Sequence, residues 1–408
     1  MMLKCGLLGE KLGHSYSPMI HAQLADYSYQ LYERSPEQLE AFLRSTEWDG
    51  LNVTIPYKKA VVPYCDELSP QARQLGSVNT LVRLPDGRLY GDNTDYYGFS
   101  CLVKDSGIQV AGRSAIVLGN GGASVTVCAV LHAMGAGSVT VISRSGEDNY
   151  QNLDRHADAQ IVVNTTPLGM YPNNGETAVD LRRFPKCEGV FDLIYNPART
   201  ALLLQAEELG IPCCCGLKML VAQAARSCER FTGSVVDTSR IDEIERLMRA
   251  QLQNIILIGM PGCGKSTVAA ALGKRLHRPV YESDTMVEQR AGMSIPEIFA
   301  RSGEDRFREL ESEVLSELGK LTGAVISTGG GCVTRTENYP LLHQNGQIFW
   351  LKRPLDELPV EGRPLSQRYS VEELFARREP LYERFADRMI ENNRSAEQTA
   401  ERIEENLL

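Results

Sequence analysis

Gly259-Met260-Pro261-Gly262-Cys263-Gly264-Lys265-Ser266-Thr267 is the stretch that decides how this chain is read. Just before it, Ile255-Ile256-Leu257-Ile258 is a short apolar, β-branched run suited to a buried strand. Just after it, Val268 to Arg275 reads as a helix. Strand, glycine-rich turn and helix form the context of a phosphate-binding loop. Backbone N–H groups of the turn and the positive end of the helix suit phosphate oxygens. Gly262 and Gly264 let the backbone curl, Lys265 reaches the outer phosphates, and Ser266 and Thr267 open the helix, with Ser266 placed to ligate Mg²⁺. The loop begins at residue 259 of 408 and needs nothing upstream to complete it, so the chain reads as two machines in series.

Outward toward the carboxyl terminus, Tyr281-Glu282-Ser283-Asp284 reads as a strand end, and Glu288 follows on a helix. Gly303 to Glu311 carries Arg308, and Val325 to Gly331 ends in three glycines. Gly362-Arg363-Pro364-Leu365 and Arg377-Arg378-Glu379-Pro380-Leu381-Tyr382 complete the set. This ordered set resembles shikimate kinase, a small P-loop kinase related to the nucleoside monophosphate kinases. The resemblance implies that Asp284 binds substrate hydroxyls beside the transferred phosphoryl group and is catalytic. It makes Arg308 and Arg378 partners of the substrate carboxylate, a planar task that suits guanidinium. Glu311, three residues after Arg308, would share its helix face and orient it. Gly330 and Gly331 would let the backbone approach the substrate, and Arg363 would meet the ATP phosphates from a lid. Glu282 stands where the family has a metal-assisting aspartate, so it is a second candidate for Mg²⁺. The stretch from Leu351 to Arg363 is short for a lid.

Upstream, four segments stand in order: Gly13-His14-Ser15-Tyr16-Ser17-Pro18, Asn52-Val53-Thr54-Ile55-Pro56-Tyr57-Lys58, Val78-Asn79-Thr80 and Asp92-Asn93-Thr94-Asp95. Ser17-Pro18 is expected to start a helix, with Ser17 as N-cap and Pro18 at the first helical position. Together the four segments resemble the substrate domain of shikimate dehydrogenase. The resemblance implies that Ser15 and Ser17 bind the substrate carboxylate, that Thr54, Asn79 and Asp95 bind the ring hydroxyls, and that Lys58 is catalytic with Asp95 beside it. The residue types fit ketone reduction, because an ammonium near the developing alkoxide stabilises it and can deliver a proton.

Between these halves, Ser114 to Leu118 is a strand, followed by Gly119-Asn120-Gly121-Gly122-Ala123-Ser124, a helix to Met134 and a strand from Gly137 to Ile142. This βαβ unit with a glycine turn is the dinucleotide-binding arrangement, with Gly119, Gly121, Gly122 and Ala123 at the phosphates. Ser143-Arg144 follows where an NAD protein would place an acid, and an arginine there suits the 2′-phosphate of NADP. Glu147 and Asp148 occupy the region where the family often has a second arginine. Only 16 residues separate Arg144 from Ile161, so the crossover is abbreviated. Asn164-Thr165-Thr166-Pro167-Leu168-Gly169-Met170 matches the family's loop beside the nicotinamide. The resemblance also places Tyr195 near the substrate and makes Gln223, in Met219-Leu220-Val221-Ala222-Gln223-Ala224, a substrate contact. Ser239 to Leu252 reads as an amphipathic helix that packs back on the first half, and Gln253-Asn254 runs straight into the next strand.

Composition sets the outer bounds. A chain of 408 residues suits two or three domains. Net charge −9 without a basic run argues against a nucleic-acid partner. No apolar run approaches the roughly 18 residues of a membrane span, and the first ten residues hold too short an apolar stretch for a secretory signal. Eleven cysteines lack paired metal-ligand spacing, and Cys213-Cys214-Cys215 read as reduced core residues. A cytoplasmic enzyme is expected.

The expected fold class is α/β. A substrate-binding α/β domain spans 1–100, completed by helices about 218–253. A Rossmann-like NADP domain spans 101–217, and a P-loop domain of the nucleoside monophosphate kinase type spans 254–408. The resemblances imply a bifunctional enzyme using NADP(H), ATP and Mg²⁺ on the small molecules 3-dehydroshikimate and shikimate. The alternatives are an NAD-preferring quinate/shikimate dehydrogenase joined to a separate small-molecule kinase, and a non-catalytic sensor of shikimate and ATP. The motifs carry no signal for oligomeric state.

Overall fold

The computed structural model describes residues 2–13, 15–358 and 370–407. Arg363 and most of the expected lid lie outside the described residues. The chain divides into two compact units. The first comprises Met1–Met170, Gly175–Tyr195 and Leu202–Met248; the second comprises Tyr171–Asn174, Asn196–Ala201 and Arg249–Leu408. The fold is α/β, with three sheets among the described residues.

The first unit holds two sheets. One is built from β1 (Lys4–Gly9), β2 (Ser28–Glu33), β3 (Gly50–Val53), β4 (Glu67–Leu68), β5 (Thr80–Arg83) and β6 (Leu89–Asp92), in the order β2-β1-β3-β5-β6-β4. β1 is parallel to β2 and β3, whereas β5 runs antiparallel to β3 and β6. Leu8, Leu51, Val53 and Leu81 bury against Trp48, Phe42 and Leu43 on one side of it. The other sheet is wholly parallel: β7 (Ser114–Leu118), β8 (Ser138–Ile142), β9 (Ile161–Asn164), β10 (Gly189–Asp192) and β11 (Cys213–Cys214), in the order β11-β10-β9-β7-β8. The chain leaves β7 to one side for β8 and returns to the other for β9. A doubly wound sheet opens its ligand crevice at that reversal, outside the strands' carboxyl ends.

Helix Leu217–Thr232 packs on helix Asp95–Ser106 so closely that a Cβ on Gly98 would lie 2.6 Å from the Met219 carbonyl oxygen. The buried Lys218 ammonium joins three helices: it pairs with Asp105 at 3.2 Å, with Glu245 at 3.3 Å and with Asp242. Helix Thr238–Leu252 therefore docks within this unit, aided by buried Ile241, Ile244 and Met248.

In the second unit β12 (Asn254–Ile258), β13 (Val280–Glu282), β14 (Val325–Ser327), β15 (Gly346–Lys352) and β16 (Arg388–Glu391) form a parallel sheet, ordered β13-β14-β12-β15-β16. β12 is central and every residue in it is buried, which is why it reads as an unbroken apolar run. Helix Ile295–Leu318 is interrupted at Gly303, whose φ of 81° breaks the helical path.

Two expectations change, and the abbreviated β8–β9 crossover stands as read. Helix Ser17–Leu24 has Tyr16, not Ser17, at its N-cap, with Pro18 in its second position. The Ser15 hydroxyl accepts the Ser17 amide at 3.2 Å, so an N–H of the first turn is satisfied from outside the helix. Asp284 does not end a strand: β13 closes at Glu282, and Asp284 is the second residue of helix Ser283–Ala291. An acidic side chain is favoured in that first turn by the helix dipole. The β8–β9 crossover contains only a 3₁₀ turn, Leu153–His156. Among the described residues no helix is long and apolar enough to cross a membrane.

Candidate functional site

In the first unit, Lys58 follows β3 and Asp95 opens the helix after β6. Lys58 Nζ donates to Asp95 Oδ2 at 2.6 Å, with the two side chains 27% and 14% exposed. They are partly screened yet reachable. Asn79, just before β5, is oriented without ambiguity. Its Oδ1 accepts from the Thr94 amide at 2.7 Å, and the hydroxyls of Thr94 and Thr80 stand 3.2 and 3.1 Å away. A backbone N–H only donates, so the carboxamide atom it meets is the accepting oxygen, and the Asn79 amide nitrogen faces the opposite way as a donor.

Beneath these residues lies a neutral hub that sequence reasoning missed. Ser227 Oγ accepts from Asn52 Nδ2 at 2.7 Å, donates to the Gln223 carbonyl at 3.0 Å, and contacts the hydroxyls of Thr80 at 2.8 Å and Thr94 at 3.0 Å. Tyr29 donates its hydroxyl to Asn52 Oδ1 at 2.8 Å, and the Ser17 side chain stands beside that phenol. Burial pushes the Tyr29 phenol well above its ordinary value, so it keeps its proton. The hub links Ser17, Gln223, Asn79 and, through the Thr94–Asp95 step, the Lys58–Asp95 pair. Gln223 Nε2 itself turns back to the Leu220 carbonyl at 2.9 Å. Tyr195, whose phenol burial also raises, brings its ring to 5.5 Å from Tyr16 between the two serines. Thr54 directly follows β3, its amide bonded to the Leu8 carbonyl. Asn52, Thr80 and Thr94 were inside the quoted segments, and the polarity of Asn52 and Thr80 within strands was the available signal. Ser227 gave none.

At the crevice of the parallel sheet, Gly119 takes φ 104° after β7, and a Cβ there would crowd Thr165 and Thr166. Gly121 and Gly122, at the start of helix Gly122–Ala133, face open space, which leaves room for a ligand against the backbone. Thr165 donates its hydroxyl to the Leu118 carbonyl at 2.7 Å. Asn164 is turned inward: its Nδ2 donates to Asp192 and its Oδ1 accepts from the Thr166 amide and hydroxyl. Ser143 is buried and Arg144 is exposed beside it. Of the two acids near Arg144, Asp148 is engaged by His156 Nε2 at 2.7 Å.

In the second unit a cavity of about 590 Å³ is lined by the loop residues Gly262, Gly264, Lys265, Ser266 and Thr267 and, across from them, by Asp284. Glu282, Arg308, Glu311, Gly329, Gly330, Gly331 and Arg378 also face it. Lys265 Nζ donates to the carbonyls of Gly259 at 2.9 Å and Met260 at 3.0 Å. Arg308 pairs with Glu311 at 2.7 Å and Glu304 at 3.2 Å; Arg308 is 7% exposed and Glu311 fully buried. Arg378 Nη1 donates to the Gly330 carbonyl at 3.2 Å. A Cβ on Gly329 would lie 2.5 Å from Asp284 Oδ1 and 2.6 Å from Glu311 Oε1, and one on Gly331 would strike the Arg308 guanidinium at 2.2 Å. Those two carboxylate oxygens are buried without a hydrogen-bond partner among the described residues. Burial raises the pKa of both carboxyls, against the pull of Lys265 and Arg308 on Asp284 and of Arg308 on Glu311. A buried acceptor beside a phosphate-type loop can take a hydroxyl proton.

Comparison with known proteins follows this division. A family model described as shikimate kinase matches residues 261–408, and one described as shikimate dehydrogenase substrate binding domain matches residues 7–81. The chain is 37% identical over 241 residues to the shikimate dehydrogenase (NADP(+)) of Clostridium beijerinckii, covering 54% of this chain and 89% of that protein. It is 40% identical over 252 residues to the protein of the same description from Oleidesulfovibrio alaskensis, covering 56% and 89%. Among solved structures, a chorismate mutase/shikimate 5-dehydrogenase fusion protein from Clostridium acetobutylicum matches with TM-score 0.58 at 36% identity, over 61% of this chain and 97% of that one. A quinate dehydrogenase from Corynebacterium glutamicum in complex with NAD matches with TM-score 0.55 at 30% identity, over 60% and 98%.

Proposed function

Since the chain belongs to the shikimate dehydrogenase family and carries a shikimate kinase domain behind it, we propose that it catalyses two consecutive reactions on one cyclic hydroxy-acid. The first reduces 3-dehydroshikimate to shikimate with NADPH. The second phosphorylates shikimate to shikimate 3-phosphate with ATP, on the route to chorismate and the aromatic amino acids. The eleven free cysteines support action in the reducing cytoplasm.

In the dehydrogenase, Ser15 and Ser17 take the carboxylate, while Thr54, Gln223 and the outward amide nitrogen of Asn79 take ring oxygens. Tyr195 closes over the ring. Gly119–Ala123 would hold the dinucleotide phosphates and Ser143 and Arg144 the 2′-phosphate; when bound, NADPH would supply the hydride for the carbonyl carbon. Lys58 gives a proton from Nζ to the oxygen that becomes the hydroxyl, and Asp95 holds the ammonium in place. Asn164 acts through its backbone and Thr165 beside it, since its side chain is committed to Asp192 and Thr166. The Lys58–Asp95 contact at 2.6 Å is the observation that carries this half.

In the kinase, Arg308 and Arg378 receive the carboxylate, and Gly330 and Gly331 bring backbone close to the ring. Asp284, with Oδ1 unpartnered, accepts the proton of the attacking hydroxyl. Lys265 and the N–H groups of Gly262 to Thr267 hold the ATP phosphates, with Arg363 assigned to the same task. Ser266 and Glu282 present hard oxygen ligands to this cavity and would hold Mg²⁺, which neutralises phosphate charge when bound.

The test is a coupled assay with 3-dehydroshikimate, NADPH and Mg-ATP. NADPH consumption is expected to be followed by ADP release of equal amount. Faster turnover with NADH and quinate would instead select the quinate-type reading, and binding without turnover would leave a sensor.

A further inference from the structure

The carbonyl oxygen of Cys263, inside the phosphate-binding loop, accepts a hydrogen bond from Asn392 Nδ2 at 2.6 Å. Asn392 lies just past β16 and is 6% exposed. Its backbone amide is fixed to the Lys352 carbonyl at 2.8 Å, at the end of β15. Its Oδ1 contacts the hydroxyl of Thr399 at 2.8 Å, and Thr399 is fully buried on helix Ala396–Glu405. A carbonyl can only accept, so the carboxamide has one orientation: nitrogen to the loop, oxygen to Thr399. The fit is tight as well. A Cβ on Gly264, which has φ 96°, would stand 2.6 Å from Asn392 Nδ2.

We infer that Asn392, held by Thr399, is a positioning residue for nucleotide binding. In a trans peptide the C=O and the following N–H point in opposite directions. Tethering the Cys263 carbonyl on the Asn392 side therefore turns the Gly264 N–H away from Asn392, toward the cavity that Gly264, Lys265 and Ser266 line. A donor fixed in advance binds a phosphate oxygen without the cost of ordering it on arrival. Asn392 touches no substrate in this scheme and acts through the loop backbone. The inference rests on the kinase reading above. Neither residue belongs to the amino-terminal unit, so dehydrogenase turnover by the same chain reports on expression and handling.

The experiment uses the full chain as wild type, Asn392→Ala, Thr399→Val and Thr399→Ser. Kinase rates are measured with ATP and shikimate varied separately, ADP binding by calorimetry, and dehydrogenase rate alongside. Losing one charge-free hydrogen bond and the order it imposes is expected to raise the ATP KM and the ADP Kd about tenfold in Asn392→Ala. Thr399→Val should do the same to a lesser degree, Thr399→Ser should restore wild-type values, and the shikimate KM and dehydrogenase rate should stay put. Unchanged ATP KM and ADP Kd in Asn392→Ala would overturn the inference. So would equal losses for ATP and shikimate, which mark a merely structural role. If Asn392→Ala does not fold, the Thr399 pair decides: identical ATP KM in Val and Ser variants removes the proposal. Wild-type protein that binds ADP yet leaves shikimate unphosphorylated refutes the kinase reading alone, and the ADP titrations still judge Asn392. Wild-type protein that binds no ADP refutes both.

Discussion

The two pockets keep polar atoms out of water by different means. In the amino-terminal unit Asn52, Asn79, Thr80, Thr94 and Ser227 are buried, and none of them carries a charge. The carboxyl-terminal pocket also buries neutral Ser327 and Thr328, but it adds buried ions: Arg308, Glu311 and, beside them, Asp284. A buried neutral group is satisfied by a hydrogen bond, whereas a buried ion also needs a countercharge and responds to pH. Charge in the first pocket is concentrated in the partly screened Lys58–Asp95 pair, where the proposed chemistry would use it. The neutral hub orients; the ionic cluster orients and holds charge together.

The largest effects should fall on the reacting groups. Lys58→Ala is expected to lower dehydrogenase turnover about 10²–10⁴-fold with a small change in KM, and Asp284→Asn to do the same to the kinase. Each variant should leave the other activity intact; steady-state rates check both. A near-normal dehydrogenase rate in Lys58→Ala would remove its assignment.

Breaking the ionic cluster comes next. Glu311→Ala leaves the buried Arg308 with the half-exposed Glu304 as its one ion pair among the described residues, and should cost about 3–5 kcal/mol in the melting transition of the carboxyl-terminal unit. Breaking the neutral hub should cost less. Ser227→Ala strips Asn52 Nδ2 of its 2.7 Å partner, for about 1–3 kcal/mol in the amino-terminal transition by calorimetry. If the serine proved the costlier of the two, the contrast between the pockets would be inverted.

The pH responses sharpen the contrast further. Burial holds the Asp284 and Glu311 carboxyls above their ordinary values. The folded protein thus binds their protons more tightly than the unfolded chain does. The stability this lends is full below the ordinary carboxylate range and is lost as pH rises through the raised values. With Asp284 as the proposed base, kinase turnover should fall on acidification at a higher pH than an exposed aspartate would give. The smallest effect is expected in Glu282→Gln: removing a carboxylate that helps raise Asp284 should move that acid limb to lower pH. An unmoved limb with a raised Mg²⁺ requirement would give Glu282 to the metal alone.

What was legible in the sequence was what is local along the chain. Glycine turns between a strand and a helix announce themselves within ten residues, and the two parallel sheets are each entered through one of them. The hub was not legible, because Ser227 meets Asn52 across 175 positions and Thr94 across 133. A serine one turn beyond Gln223 on an amphipathic helix looks like any other. Asn392 is likewise 129 residues from the carbonyl it holds. The N-cap at Ser17 failed for a different reason: the helix begins one residue earlier, with Tyr16 at the cap, and Ser17 becomes its first residue, its own amide taken by the Ser15 hydroxyl. Asn164 sits beside the crevice as its motif suggests, but Asp192, 28 residues on, claims its side chain.

Lys218 carries a last lesson about how helices are arranged. A single ammonium gathers Asp105, Asp242 and Glu245 from two other helices. An ammonium attracts alike in every direction, so it tells these rods how near to stand and not which way to face. Rotation about the long axis is a separate instruction, issued by Ile241, Ile244 and Met248 from the covered flank of the same segment.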